Sequence, residues 1–324
     1  EVLTEGPGPN FTLTSHITGD EGSSSVLILD QLGRTTWYVR PEWGHTPVAR
    51  FGQDGTTVIY LVTSKEHVEN AVVRRQALAG GAYEEVATPY AHHDVVEVPG
   101  IDFAYIAAEG REVDGESVVG DKIVERLADG SEREVWNAFD WFEVVENEGW
   151  NAGYYPFGVD WTHANGLFYD EASDSYLISL YYIDTVVSVD RATGTINWQL
   201  GGDDTDFVLP DGYVFRHQHA PSVAPGGEVS VYDNAGGSEG SRGLCFTLGS
   251  SEAALAWSFD PADDRRSILL GDVDRFDDGS SLVAFGEHGE VTQVSPGGTV
   301  DWEIDAADIG VVGKVEARDS LYPP

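Results

Sequence analysis

Three short stretches of the chain carry imidazole in one arrangement: His92-His93-Asp94, His163-Ala164-Asn165 and His217-Gln218-His219, the last preceded by Arg216. Each stands before a run that reads as an inward-facing strand, DVVEV, GLFYD and PSVAP respectively. The chain has only nine histidines, so three repeats of one placement point to a shared pocket. A lone histidine is more often a hydrogen-bonded structural group than a functional one. Two chemistries suit the cluster. Three imidazoles can hold zinc or another divalent metal. Alternatively, one neutral imidazole acts as a nucleophile while the others donate protons and stabilise negative charge. Spacing does not choose between them.

The elements that must position these groups are strands. Between Asp160 and Gly202, LISL and TVVSVD are β-branched, apolar runs bounded by Asp, Ser and Gly, the pattern of antiparallel strands. RATG is a tight turn, and TINWQL alternates apolar with polar residues as a half-buried strand does. One such unit cannot bury its own apolar face and must stack on others. A turn followed by a strand with a large residue recurs at Trp37, Val86, Trp136, Trp198, Trp257 and Trp302, spaced 45 to 62 residues apart. That spacing suits a four-stranded propeller blade with variable loops. We therefore read an all-β chain: a six-bladed β-propeller with four-stranded antiparallel blades around a central channel. The alternative is a generic sandwich or pair of barrels. In a propeller the innermost strands line the channel and their leading residues converge at one mouth, which brings the histidine stretches together.

Residues 1–20 read as an extended lead, and 21–324 as a single propeller domain. Within it, 110–158 reads as an inserted loop rich in aromatics and acids, folding over the face that holds the Asp160 signature. Helical periodicity is nearly absent; the best candidate, Lys65–Ala77, fits a strand equally well. Propellers commonly close by pairing chain-terminal strands, so the N-terminal residues are expected to take part in closure.

Net charge is −38 over 324 residues, spread through every segment. A dispersed negative surface keeps a protein soluble by self-repulsion that salt screens, which fits a salt-adapted, halophilic organism with an acidic proteome. The clusters DDTD (203–206) and DPADD (260–264) are candidates for calcium, since hard cations take carboxylate oxygens. Nucleic acid is excluded as a partner, because little basic charge is available to neutralise phosphates. The lone Cys245 cannot form an intrachain disulfide and reads as a buried, inert thiol. No apolar run is long enough for a transmembrane helix. The chain opens on Glu and contains no Met, the pattern of a processed product that is secreted, periplasmic or held at the cell surface. Asn10-Phe11-Thr12 fits a glycosylation sequon. Oligomeric state is not legible.

Four segments together resemble the arylsulfotransferase family, enzymes that move sulfate between phenols without a nucleotide donor. They are HHDVVEVPG, DWTHANGLFYDEASDSYLISL with DTVVSVDRATGTINWQLGG, FRHQHAPSV with SRGLCFTL, and GDVDRFDDGSSLVAFGEHGEVTQVSPGGTVDWEI. The family fold is a six-bladed propeller. By this resemblance His219 aligns with the nucleophile that becomes a transient sulfohistidine. His163 and Asn165 align with residues that bind and polarise the sulfuryl oxygens, and His93 with a third histidine suited to acid–base work on the phenolic oxygen. The remaining residues of the three stretches, His92, Arg216 and His217, are candidates for substrate binding. The resemblance implies a phenolic sulfate donor, a phenol acceptor and no required cofactor.

The sequence departs from the family at one position. An arginine expected in the strand after the His-x-Asn signature is here Tyr181. A tyrosine offers a hydrogen bond but no charge. Loss of a positioned charge donor costs on the order of 3 kcal/mol of transition-state stabilisation, or roughly a hundredfold in rate. Arg216 is the candidate substitute. Tyr181 therefore keeps open a second reading, a propeller that has lost catalysis and serves as an extracellular binding or structural module. A metal-dependent hydrolase using the three histidines is a third.

Overall fold

The computed structural model describes residues 2–5, 8–18, 24–235, 240–262, 265–306 and 310–322. Among the described residues six sheets, each with four antiparallel strands and two of them carrying a fifth, form the blades of a propeller. Blade 3 is built from Ala91–Val96, Phe103–Val113, Glu116–Arg126 and Glu132–Asn137. Blade 4 is built from Ala164–Asp170, Ser175–Leu180, Thr185–Asp190 and Ile196–Gly201. Blade 5 follows with His219–Val223, Val229–Asp233, Arg242–Leu248 and Ala253–Phe259. The first strand of each of these blades packs against the first strand of the next, so these strands form the wall of the axis.

The large marker residues explain the repeat. Trp37, Val86, Trp136, Trp198, Trp257 and Trp302 all lie on the fourth strand of their blades. The outer strand is the one farthest from the crowded axis, and a large side chain there fills the widening wedge between neighbouring blades. A hydrophobic cluster occupies each junction. Leu167, Tyr176 and Ile178 of blade 4 pack with Ile106, Ile123 and Trp136 of blade 3, all at most 2% exposed. Burying one such side chain contributes about 1.5–3 kcal/mol, so the stacking of blades supplies what a single blade lacks.

Both ends of the chain join the closure. Val311–Arg318, from the C-terminal end, is the first strand of blade 1 and pairs with Phe11–Ile17. Val2–Glu5 adds a fifth strand to blade 6 by pairing with Val300–Asp305. The segment 1–20, read as an extended lead, thus contributes strands to two blades.

Residues 110–158 divide differently from the expected single insertion. Through Asn137 they are regular strands of blade 3, including an eleven-residue antiparallel pairing that runs to Val113 and Glu116. Charged residues there occupy buried as well as exposed positions, with Asp121 and Glu125 fully buried, which breaks the apolar–polar alternation and hid the strand period. Only 138–158 forms a crossing segment, and it is anchored when Val159–Asp160 pairs parallel to Val118 and Val119. Lys65–Ala77 resolves into a short 3-10 turn, Val68–Asn70, and a strand, Val72–Ala77. No helix among the described residues is long and apolar enough to cross a membrane.

Near the axis, carboxylates tie three pairs of neighbouring blades together by accepting backbone N–H groups. Asp94 of blade 3 accepts from Leu167 N of blade 4 (2.8 Å), and Asp272 of blade 6 from Val315 N of blade 1 (3.0 Å). Glu316 of blade 1 accepts from Phe51 N (2.8 Å) of blade 2, which is built from Ala49–Phe51, Thr57–Val62, Val72–Ala77 and Tyr83–Ala87. Arg50 is buried among them, donating to both Asp94 oxygens at 3.0 Å and to Glu316 at 3.3 Å. An unpaired buried charge would cost several kcal/mol, so these groups are stable only as a network.

Candidate active site

A cavity of about 460 Å³ opens at one mouth of the axis, and His93, His163 and His219 all line it. They come from the starts of blades 3, 4 and 5. The rings of His93 and His163 lie 4.7 Å apart, and Tyr181 bridges onward, 5.4 Å from His163 and 5.6 Å from His219. His93 and His163 hold φ of +57° and +47°, and His217 and Ala220 beside His219 hold +52° and +45°. A left-handed backbone turns a side chain out of the strand's alternation, and residues held this way cluster at functional sites. Here it aims imidazoles up into the mouth from strands whose regular pleat would bury or splay them.

His219 is buried and its Nδ1 lies 2.8 Å from Asn234 Oδ1. Asn234 Nδ2 donates to the carbonyls of Ser267 (2.5 Å) and Leu270 (2.9 Å), so the atom facing His219 is the amide oxygen, an acceptor. Nδ1 must then carry the proton, which leaves the Nε2 lone pair for the cavity. Burial pushes the His219 pKa down to about 4, outweighing the bond to Asn234 that favours the charged form. The ring is neutral at ordinary pH.

His163 has the opposite setting. Its Nδ1 lies 2.5 Å from Asp160 Oδ2, and Asp160 Oδ1 accepts its backbone N–H at 3.2 Å. Burial disfavours the charged ring, but the Asp160 carboxylate, and more remotely Asp121, outweigh it and raise the pKa. Asp160 thus favours the charged, N–H-donating form of the His163 ring. His93 is driven the other way: burial, then the neighbouring His163, His92 and His219, hold its pKa well below the usual histidine value. Three imidazoles within one mouth are thus differentiated by their partners. Among the described residues no three His, Cys, Asp or Glu side chains are grouped so as to hold a metal ion.

Asn165 is 7% exposed and donates through Nδ2 to Gln218 O at 2.9 Å, while its Oδ1 has no partner. It borders a second, small chamber of about 20 Å³ on the axis, walled by residues of all six blades, including His93, His219 and Lys314. That is room for one water molecule.

Four residues expected to bind substrate do not line the main cavity: Asn165, which borders only the small chamber, and His92, His217 and Arg216. His92 is 2% exposed and turned into blade 3, where Asp121 and the His93 ring hold it. His217 stacks behind Tyr181 (4.3 Å between ring centres, 9° between planes), with Nε2 3.5 Å from Glu148. Arg216 is exposed on the outside of the turn, its backbone N–H bound to Asp233, so it supplies no charge to the site. Alternation along the turn puts Phe215 in the core and Arg216 out. Tyr181 does line the cavity, and burial with nearby Glu148 and Asp184 pushes its pKa up to about 12, which keeps its hydroxyl a donor.

Several groups escaped sequence reasoning. His45 lines the same cavity from the start of blade 2, and its position just before the strand Ala49–Phe51 repeats the placement seen in blades 3 to 5. Asp160 sits three residues before His163, a spacing that signals a local pair. Asn234 carried no signal, because it reaches His219 from the end of a different strand. Tyr154 comes from the 138–158 crossing and stacks edge-on against His163 at 4.6 Å. Opposite the aromatic wall, Ile17, Ile268, Leu269, Leu270 and Val311 form an aliphatic one. Of the acidic clusters considered for calcium, Asp203 and Asp204 are exposed and Asp206 accepts Gln199 N–H at 2.8 Å. Asp263 and Asp264 lie outside the described residues.

The sequence model of the family described as Arylsulfotransferase (ASST) matches residues 5–244, which include every imidazole discussed above. No curated protein matches the chain. Among solved structures, a protein of unknown function from Bacteroides caccae is similar over 95% of this chain and 98% of its own, at 12% identity and a TM-score of 0.57. A streptogramin B lyase is similar over 98% and 97%, at 11% identity and a TM-score of 0.55. A putative 6-phosphogluconolactonase from Bacteroides fragilis NCTC 9343 is similar over 97% and 99%, at 9% identity and a TM-score of 0.55. At these identities the likeness is one of fold.

Proposed function

The chain belongs to the arylsulfotransferase family, and from that premise we propose that it transfers a sulfuryl group from a phenolic sulfate ester to a phenol through His219. The observation that carries this reading is the Asn234–His219 bond, which commits Nδ1 to donation and presents a neutral Nε2 to the cavity. In the first half-reaction the Nε2 lone pair attacks sulfur and the bond to the aryl oxygen breaks. In the second, the acceptor oxygen attacks and the sulfur–nitrogen bond breaks, so one difficult transfer becomes two easier ones. His163, held as an imidazolium by Asp160, offers charge and an N–H to the sulfuryl oxygens. Tyr181 contributes a hydroxyl where the family resemblance leads one to expect a guanidinium. The aromatic wall of Tyr154, Tyr181 and Tyr182 suits an aryl ring. The dispersed charge of −38 supports a saline setting.

One observation favours a second reading. Among the described residues no arginine lines the cavity, and a propeller that has lost this charge would serve as a binding module. The test is release of phenol from an aryl sulfate in concentrated salt, with and without a second phenol, for the native protein and His219→Asn. Acceptor-dependent release lost in the variant, with an unchanged melting temperature, is the expected result. Equal turnover by the variant removes His219 from the mechanism, and no release by the native protein from several donors favours the binding module.

A further inference from the structure

His92 is buried behind the cavity wall, yet it contacts the cavity through its neighbour. Its Nδ1 lies 2.7 Å from His93 Nδ1, and its Nε2 lies 2.8 Å from Asp121 Oδ1. The latter contact is off the line of a well-aligned hydrogen bond, but neither atom has another partner. Asp121 is fully buried, and its other oxygen is committed to Thr162 Oγ1 (2.6 Å) and Ala164 N (2.5 Å) at the start of blade 4. A buried carboxylate at 2.8 Å requires a proton on His92 Nε2. Two imidazole nitrogens at 2.7 Å require one proton between them, since two lone pairs or two N–H groups would repel.

We propose that Asp121, His92 and His93 form a proton relay, which lets His93 give and take a proton at the phenolic oxygen without becoming an imidazolium itself. The proposal rests on the sulfuryl-transfer reading. His93 faces His163, His219 and Tyr154 across the mouth, and Asp94 and Lys314 line the chamber beneath it. A positive charge on His93 would sit against the imidazolium of His163. On His92 the same charge sits against the Asp121 carboxylate. Before transfer, His92 is the imidazolium, its Nδ1–H is donated to His93 Nδ1, and His93 Nε2 carries a proton. As the sulfur–oxygen bond breaks, its electron pair stays on the phenolic oxygen, which takes the proton from His93 Nε2. The Nδ1 proton crosses to His93, and His92 becomes neutral. The acceptor phenol reverses each step: its proton goes to His93 Nε2 as its oxygen attacks sulfur, and the Nδ1 proton returns to His92. His92 and Asp121 touch no substrate and are positioning residues.

The relay matters only when the leaving oxygen needs a proton. A phenol with a pKa near 10, like that of tyrosine, needs one; a nitrophenolate does not. The experiment compares phenyl sulfate with 4-nitrophenyl sulfate as donors for native protein, H92F and D121N, with thermal melts as a control for folding. The expected result is a loss of about 100-fold or more in kcat/KM for phenyl sulfate, against less than about 5-fold for the nitrophenyl ester. Equal losses for both donors in folded variants overturn the relay. If the native protein transfers from neither donor, the sulfuryl-transfer reading falls, and the imidazole ¹⁵N spectrum of the native protein still decides the relay. It is expected to show protonated His92 Nε2 and one proton shared by the two Nδ1 atoms. An unprotonated His92 Nε2 overturns it, as it does if the variants fail to fold.

Discussion

Asn234 Oδ1 stands 2.8 Å from His219 Nδ1 because the second strand of blade 5 ends level with the beginning of the first. The amide is itself pinned by two carbonyls of the segment leading to blade 6. A residue outside the cavity lining thus decides which nitrogen of His219 is free.

Replacing Asn234 with Ala should free the ring to adopt either tautomer and lower kcat by about 100-fold, in line with the cost of a misset catalytic imidazole. Asn234→Asp gives a signed test. A carboxylate beside the ring favours the imidazolium, so the His219 pKa rises from about 4 and its neutral fraction is lost at higher pH. The acid limb of kcat/KM should move upward, with activity regained under alkaline conditions. An unmoved limb would show that Asn234 does not control the proton.

Gly166 marks a close approach. A Cβ there would meet Pro221 Cδ at 2.6 Å and Ala220 N at 2.8 Å, where the first strands of blades 4 and 5 come together. Backbone cannot yield as a side chain can, so Gly166→Ala should displace the turn that carries His219. The expected outcome is a melting temperature lower by several degrees, from an overpacking cost of about 1–3 kcal/mol. Transfer should fall by more than the loss of folded protein explains. Native-like activity in the variant would mean the two strands can slide apart without moving His219.

Asp274, in the axial channel, is raised to a pKa of about 7 by burial and by Asp272 and Glu316, against the opposing pull of Lys314 and Arg50. In the unfolded chain an aspartate titrates near 3.9. Because the folded pKa is the higher one, the folded state holds a proton that the unfolded state has lost between about pH 4 and 7. The stability this group contributes is fully present below pH 4 and disappears as pH rises through 7. Asp274→Asn, neutral at every pH, should therefore raise the melting temperature at pH 8 by at least about 2 °C and change it little at pH 5. Calorimetry at the two pH values checks this, and an equal shift at both would rule out ionisation as the cause.

Much of the fold was legible because blade stacking imposes a repeat. A wedge between outer strands needs bulk, so Trp37, Trp136, Trp198, Trp257 and Trp302 recur with their turns, and the blade number follows from them. The histidine placements were legible for the same reason, since every blade begins at the same mouth. His45 obeys that rule and was overlooked because its strand, Ala49–Phe51, is only three residues long. The 110–137 strands were obscured because Asp121 and Glu125 place charge at fully buried positions, where the strand pattern leads one to expect apolar residues.

The direction of each side chain lay beyond reach. His92 and His93 are adjacent, yet one is sealed against Asp121 and the other lines the cavity, because a φ of +57° at His93 breaks the pleat. Arg216 and His217 likewise leave the cavity to Tyr181. Residue types and their spacing, which local sterics and the blade repeat govern, determined the strands, the six blades and the convergence of imidazoles. Only the tertiary structure decided which partner each imidazole meets, Asn234 for His219, Asp160 for His163 and Asp121 for His92, because those contacts join residues of different strands and blades at angstrom distances.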